Sequence, residues 1–253
     1  MTIFFRLLAA ASLLLPLSAA TAQSLYLTGR IGTAPVLVTV DRSGADLSGW
    51  YFYSRYGRQI RLEGKLDAKG NFRFDEFQDK DNSKTGVFEG TVKGADWTGT
   101  WHKPDGGGAL PLALTENRDT LASLTAKLNC STSFTDRQFG FTYTHDIKLT
   151  IAKGTVKAFD MSRTAKGGGD EQSCSIALSD LEQKPAKTGI LLHADSDTPD
   201  GSCDIRLVRA GDYLYVEVGA DCRGTSDTMF CSPRAFWTDL IVDRAAKVCR
   251  QVQ

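Results

Sequence analysis

The sequence predicts an all-β protein, with an N-terminal up-and-down antiparallel meander or barrel of about eight strands and a C-terminal disulfide-linked β domain. Three observations carry this reading. Apolar residues recur with a period of two through residues 24–116. Short turn signals, and not crossover helices, separate those runs. All six cysteines, Cys130, Cys174, Cys203, Cys222, Cys231 and Cys249, fall in the second half of the chain. An even, clustered set of cysteines in an exported chain reads as a disulfide framework, which sets a cysteine-free β domain at 23–117 apart from a cystine-containing domain at 118–253.

Residues 1–22 read as a secretory signal peptide. Arg6 precedes the apolar run Leu7–Leu17, and Ala20-Thr21-Ala22 supplies small residues for cleavage before Gln23. The run is shorter than the roughly 20 apolar residues that cross a bilayer, so no stable membrane insertion is expected. With no cysteine at the cleavage site to carry a lipid, the expected location is the periplasm or the medium. Without Arg6, the 30 Lys and Arg fall to 29 against 30 Asp and Glu, a balance of −1. The two signs are interspersed, whereas a nucleic-acid groove needs clustered positive charge, so nucleic acid is excluded as a partner.

Strand patterns appear in order at Val36–Val40, Gly49–Tyr53, Ile60–Gly64, Phe72–Phe74, Gly86–Gly90, Trp97–Trp101 and Leu110–Leu112. Between them stand the turn signals Arg42-Ser43-Gly44, Tyr56-Gly57, Lys69-Gly70-Asn71, Asn82-Ser83, Lys93-Gly94 and Pro104-Asp105-Gly106. Closing such a meander removes its edges, and about eight strands enclose a lumen that side chains fill or that holds one small ligand. Gly49, Gly64, Gly90 and Gly99 suit the bends of a closed sheet. Through Thr98-Gly99-Thr100-Trp101 and the aromatic strand Trp50–Tyr53, the module resembles the avidin-like and lipocalin-like barrels. That resemblance implies the shape and a capacity for a small ligand. No family binding residue is carried across.

Several residues of this module are candidates for a ligand site. Trp50, Tyr51 and Tyr53 place rings on both faces of one strand, either as core and domain contact or as a stacking platform for a sugar or small apolar ligand. Trp101 ends another strand of the same barrel. Three acids, Glu63, Glu76 and Glu89, recur at 13-residue spacing. Strand parity turns Glu63 and Glu89 to water, whereas Glu76 shares the phase of Phe72 and Phe74 and points inward. A buried carboxylate there needs a hydrogen-bonding or cationic partner.

In the second module, Leu121, Leu124 and Leu128 fall at helical spacing and predict a short linking helix over 120–128. Hairpins are expected at Ile147–Ile151 with Val156–Phe159 and at Cys203–Leu207 with Tyr213–Val216. Further strands are expected at Cys174–Leu178, Gly189–His193 and Phe236–Val242. Sequence leaves the disulfide connectivity open. We expect Cys222 with Cys231 to close a local loop, Cys174 with Cys203 to join strands and Cys130 with Cys249 to tie the ends of the module. The tail Cys222-Arg223, Phe230–Ala235 and Val248-Cys249 resembles the ends of exported proteins of the lysozyme-inhibitor kind. In that resemblance a cystine-pinned loop offers Ser232 and Arg234 to a partner enzyme's cleft.

No catalytic constellation accompanies these features. His102, His145 and His193 lack zinc-ligand spacing, and the glycine runs Gly106–Gly108 and Gly167–Gly169 lack the lysine of a phosphate loop. In Asp195–Gly201, Pro199 and Asp200 occupy positions where a calcium loop requires a ligand and then a glycine. No metal and no cofactor is expected. The expectation is an exported non-enzymatic binding protein whose partner is a small molecule, a glycan or an exported hydrolase such as lysozyme that it inhibits. Two alternatives are a carbohydrate-acting hydrolase pairing Glu76 with Asp75 or Glu63, and a structural envelope protein with a solid barrel.

Overall fold

The computed structural model describes residues 23–56, 58–78, 82–117, 121–136, 140–186, 189–195, 203–219, 222, 239–245 and 247–252. Among them the chain forms eighteen strands, and helix is confined to two three-residue 3-10 turns. The protein is all-β, as the periodicity requires. No helix among the described residues is long and apolar enough to cross a membrane.

The first eight strands close into a barrel: β1 (Gln23–Ile31), β2 (Ala34–Ser43), β3 (Asp46–Tyr53), β4 (Ile60–Leu66), β5 (Asn71–Gln78), β6 (Ser83–Lys93), β7 (Asp96–His102) and β8 (Leu110–Glu116). Each is antiparallel to its neighbours, and β8 returns to β1 with Gly29 opposite Leu114. Alternation sends Leu27, Val38, Leu62, Phe74, Phe88 and Trp97 into the lumen, where they pack as one core. Closure at this diameter demands close backbone approach at inward glycines. Gly90 lies opposite Gly99 across β6 and β7. A Cβ on Gly90 would sit 2.1 Å from the Thr98 carbonyl oxygen, and one on Gly99 would sit 2.0 Å from that of Glu89.

The remaining ten strands build two sheets. The first comprises β9 (Ala126–Asp136), β10 (Phe141–Ala152), β11 (Thr155–Gly167) and β12 (Asp170–Ala177). The second comprises β13 (Glu182–Ala186), β14 (Gly189–Ala194), β15 (Cys203–Ala210), β16 (Tyr213–Val218), β17 (Leu240–Asp243) and β18 (Val248–Gln251). One continuous core joins their facing surfaces, with Ile147, Leu149 and Met161 from the smaller sheet and Leu192, Ile205 and Leu240 from the larger. Cys130 on β9 bonds Cys249 on β18 across a Cα separation of 5.7 Å, the expected pairing, and the cystine links the two sheets.

Two sequence expectations need correction here. The helix over 120–128 is a single 3-10 turn at Leu121–Ser123, followed by strand from Ala126. Leu121, Leu124 and Leu128 are buried as their spacing implied, but pairing of Leu128 with Leu149 on β10 overrides the local helical periodicity. The cystine expectations were also partly misassigned. Cys203 bonds Cys222, 19 residues away, which rules out both Cys174–Cys203 and Cys222–Cys231. Cys203 opens β15 and Cys222 follows the β16 turn at Gly219, so the nearest partner is on the adjoining loop and not across the sheet. Cys174 is disulfide-bonded as well, and Cys231 lies outside the described residues. Strands β1, β9, β13 and β18 had no expectation in the sequence.

The larger sheet is apolar on both faces. Its outer face, with Val208, Ala210, Tyr215 and Ile241, packs against Tyr26, Leu37 and Phe52 on the outside of the barrel. The Tyr215 ring stands 5.4 Å from Trp50 in an edge-on contact and 6.1 Å from Phe52. Polar groups fringe this seam. Tyr26 donates to Glu217 at 2.6 Å, Arg206 donates to the Tyr26 hydroxyl at 3.0 Å, and Tyr213 donates to Ser54 at 3.1 Å. The Tyr215 hydroxyl donates to Asp239, which also accepts from the Val218 amide at 2.8 Å. Burial pushes the Asp239 carboxyl up to about 6, from an ordinary 3.8.

Gly90→Val is expected to cost about 3 kcal/mol or more, because its side chain collides with backbone, whereas Gly94→Asn, in an open turn at φ 64°, should change stability by less than about 1 kcal/mol. Urea unfolding checks both. The raised Asp239 pKa means the folded protein holds that proton more tightly than the unfolded chain. Its stabilising contribution is complete below pH about 4 and is lost as the pH rises through about 6. Relative to wild type, Asp239→Asn should therefore gain roughly 2 kcal/mol between pH 4 and pH 7, read from melting temperatures at each pH.

Candidate functional site

The two ends of the barrel differ. One is closed by tight turns between β2 and β3 and between β6 and β7, where Gly44 and Gly94 adopt φ of 63° and 64°. The other carries the longer connections after β3, β5 and β7. There lies an open-mouthed cavity of about 250 Å³, lined by Arg58, Gln59, Ile60, Glu76, Gln78 and Thr85.

Glu76 is its buried acid, at 5% exposure. Three neutral groups donate to it. The Tyr51 hydroxyl and the Trp101 indole N–H reach Oε2 at 2.7 and 2.8 Å, and the Thr85 hydroxyl reaches Oε1 at 2.6 Å. The Tyr53 ring stands 5.6 Å from that of Tyr51 in an edge-on contact. Burial pushes the Tyr51 hydroxyl far up from its ordinary value, the Glu76 carboxylate adds to this, and burial raises Tyr53 as well. All three groups bonded to Glu76 are donors, the arrangement a carboxylate accepts. A carboxylate has about four acceptor positions, and three are filled.

Local backbone geometry builds this cluster. Glu76 opposes Gly86, yet Phe77 opposes Lys84, so Thr85 is the extra residue of a β-bulge. The bulge turns the Thr85 hydroxyl to the acid. Gly86 leaves room for both partners, since a Cβ there would lie 2.3 Å from the Trp101 indole nitrogen and 2.9 Å from Glu76 Oε2.

Four of the residues singled out from sequence, Tyr51, Tyr53, Glu76 and Trp101, converge here. Trp50 does not. It alternates out of the lumen and packs at the seam against Tyr215, so its place in a ligand platform is corrected to a contact between barrel and sheet. Glu63 and Asp75 also face away from the cavity, Glu63 paired with Arg61 and Asp75 held 2.8 Å from Lys84. Ser232 and Arg234 lie outside the described residues. Sequence reasoning missed Arg58, Gln59, Gln78 and Thr85. Gln78 shares the parity of Glu76 and was readable, whereas the bulge concealed Thr85 and the loop gave Arg58 and Gln59 no phase.

Neither the family models, nor the characterised proteins, nor the solved structures compared with this chain contain a match to it.

Among the described residues no cluster of three or more His, Cys, Asp or Glu is arranged to hold a metal ion. Tyr51→Phe should cost about 1–3 kcal/mol by leaving the buried acid one donor short. In a thermodynamic cycle with Glu76→Gln the two effects should be non-additive, as chemical denaturation of the four proteins would reveal.

Proposed function

We propose that the chain is an exported, non-enzymatic binding protein whose barrel mouth holds a small polar ligand. The observation that carries this reading is Glu76, a buried carboxylate held by three donors and still facing an open cavity. A purely structural acid would have its surroundings closed over it. The cavity volume of about 250 Å³ suits a compact ligand, below the range of drug-sized pockets. Disulfides at Cys130–Cys249 and Cys203–Cys222 agree with an oxidising compartment outside the cytoplasm.

The hydrolase alternative needs a second acid across the cavity, and its candidates Glu63 and Asp75 point away from it. Inhibition of a cell-wall hydrolase such as lysozyme rests on Ser232 and Arg234. The geometry of the described residues favours the barrel mouth.

Ligand-observed NMR against a library of small polar metabolites is the test. At least one compound should bind wild type in the micromolar to low millimolar range, and Gly86→Val, which crowds Glu76 and Trp101, should abolish the signal while far-UV dichroism stays unchanged. Absence of any binder at millimolar concentration overturns the reading.

A further inference from the structure

The lining of the cavity is chemically two-sided. Glu76 accepts from Tyr51, Thr85 and Trp101, all of them neutral. Its charge is thus solvated by dipoles with no cation in contact, and one acceptor position remains. At the same cavity Arg58 is exposed and has no hydrogen bond or ion pair among the described residues. Gln59 and Gln78 likewise have uncommitted carboxamides. A guanidinium with no carboxylate and a carboxylate with no cation therefore border one space.

From this we infer that the ligand is a small zwitterion carrying a primary ammonium and a carboxylate, as in a free amino acid. The inference rests on the proposed binding role of the barrel mouth. The ammonium donates to the open position on Glu76 and to the Gln78 side-chain oxygen, and the carboxylate accepts from Arg58. Each charge meets its opposite, and the compensation is greatest at Glu76, because a desolvated carboxylate gains more from a cation than from another neutral donor. A sugar hydroxyl fills the same acceptor position without that gain and leaves Arg58 unused. Specificity follows from spacing, since one molecule must span floor and lip within a cavity of about 250 Å³.

Isothermal titration of the oxidised protein tests this, with the common free amino acids as probes and glucose and galactose as a neutral arm. One amino acid is expected to bind at sub-millimolar Kd. Its N-acetyl and methyl-ester derivatives, which each remove one charge, should bind about tenfold or more weakly. Glu76→Gln should abolish binding. Because that variant touches the core, Arg58→Gln on the exposed lip is the second: it should weaken the parent amino acid about tenfold and leave the methyl ester unaffected. Equal affinity for parent and derivatives, or binding of a neutral sugar in preference to every amino acid, overturns the zwitterion and leaves the barrel-mouth site standing. No heat from either arm also overturns it, while the metabolite screen separately judges the site.

Discussion

The seam between the barrel and the six-stranded sheet is the constraint on which the rest of the molecule depends. A sheet in a two-layer sandwich buries one face, yet β15–β17 are buried on both, and the second face needs a cover. The outside of β1–β3 provides it. Tyr26, Leu37 and Phe52 would otherwise be a large apolar patch on the barrel, and Tyr215 and Ile241 another on the sandwich. The chain consequently stacks as three layers, barrel wall, six-stranded sheet and four-stranded sheet. Its buried hydroxyls and acids, Tyr26 with Glu217 and Tyr215 with Asp239, are the hydrogen-bonded price of passing polar groups through that contact.

The seam also divides the aromatic residues of the barrel between its two faces. Aromatic residues on β3 alternate in use: Trp50 and Phe52 are committed to the sheet, and Tyr51 and Tyr53 to the lumen. Rings below Glu76 fill the lumen, with Phe72 5.1 Å from Trp97 and Tyr51 5.4 Å from Phe88. The polar cluster is left at the end where the longer loops emerge. A packed floor and a walled side hold Tyr51 and Trp101 in fixed orientation, which is what preorganises their donors toward Glu76.

Much of this was legible in the sequence because it depends on parity. Period-two alternation located seven of the eight barrel strands, β2–β8, and the phase of Phe72 and Phe74 placed Glu76 inside. Turn signals located the connections from β2 onward, whereas the tight turn at Gly32-Thr33 between β1 and β2 was not read. What escaped reading has a physical cause in each case. The bulge at Thr85 breaks parity, so its hydroxyl was invisible. Strand β9 carries Ser131, Thr132 and Ser133 in succession, so hydroxyl residues fall on both faces and its apolar face is too sparse to announce itself beside the Leu121–Leu124–Leu128 spacing. Cystine pairing is a matter of three-dimensional proximity: Cys130 with Cys249 could be read as tying the ends of the module, whereas Cys203 with Cys222 depends on where a loop returns. The two faces of β3 were both recognised, but which one lines the lumen and which meets the neighbouring sheet is decided by the fold.

The linkage of β9 to β18 has a consequence for the order in which the molecule is assembled. Every barrel pairing is between neighbours in the chain apart from β1 with β8, so the barrel is complete once residue 116 has been delivered. Cys130 must instead wait 119 residues for Cys249. A chain made from its N-terminus therefore has a complete barrel sequence while the sandwich still lacks its last strand and its cystine, and until that bond closes Cys130 is a thiol open to wrong partners. Closure of the Cys130–Cys249 bond is thus a late event, timed by the arrival of β18.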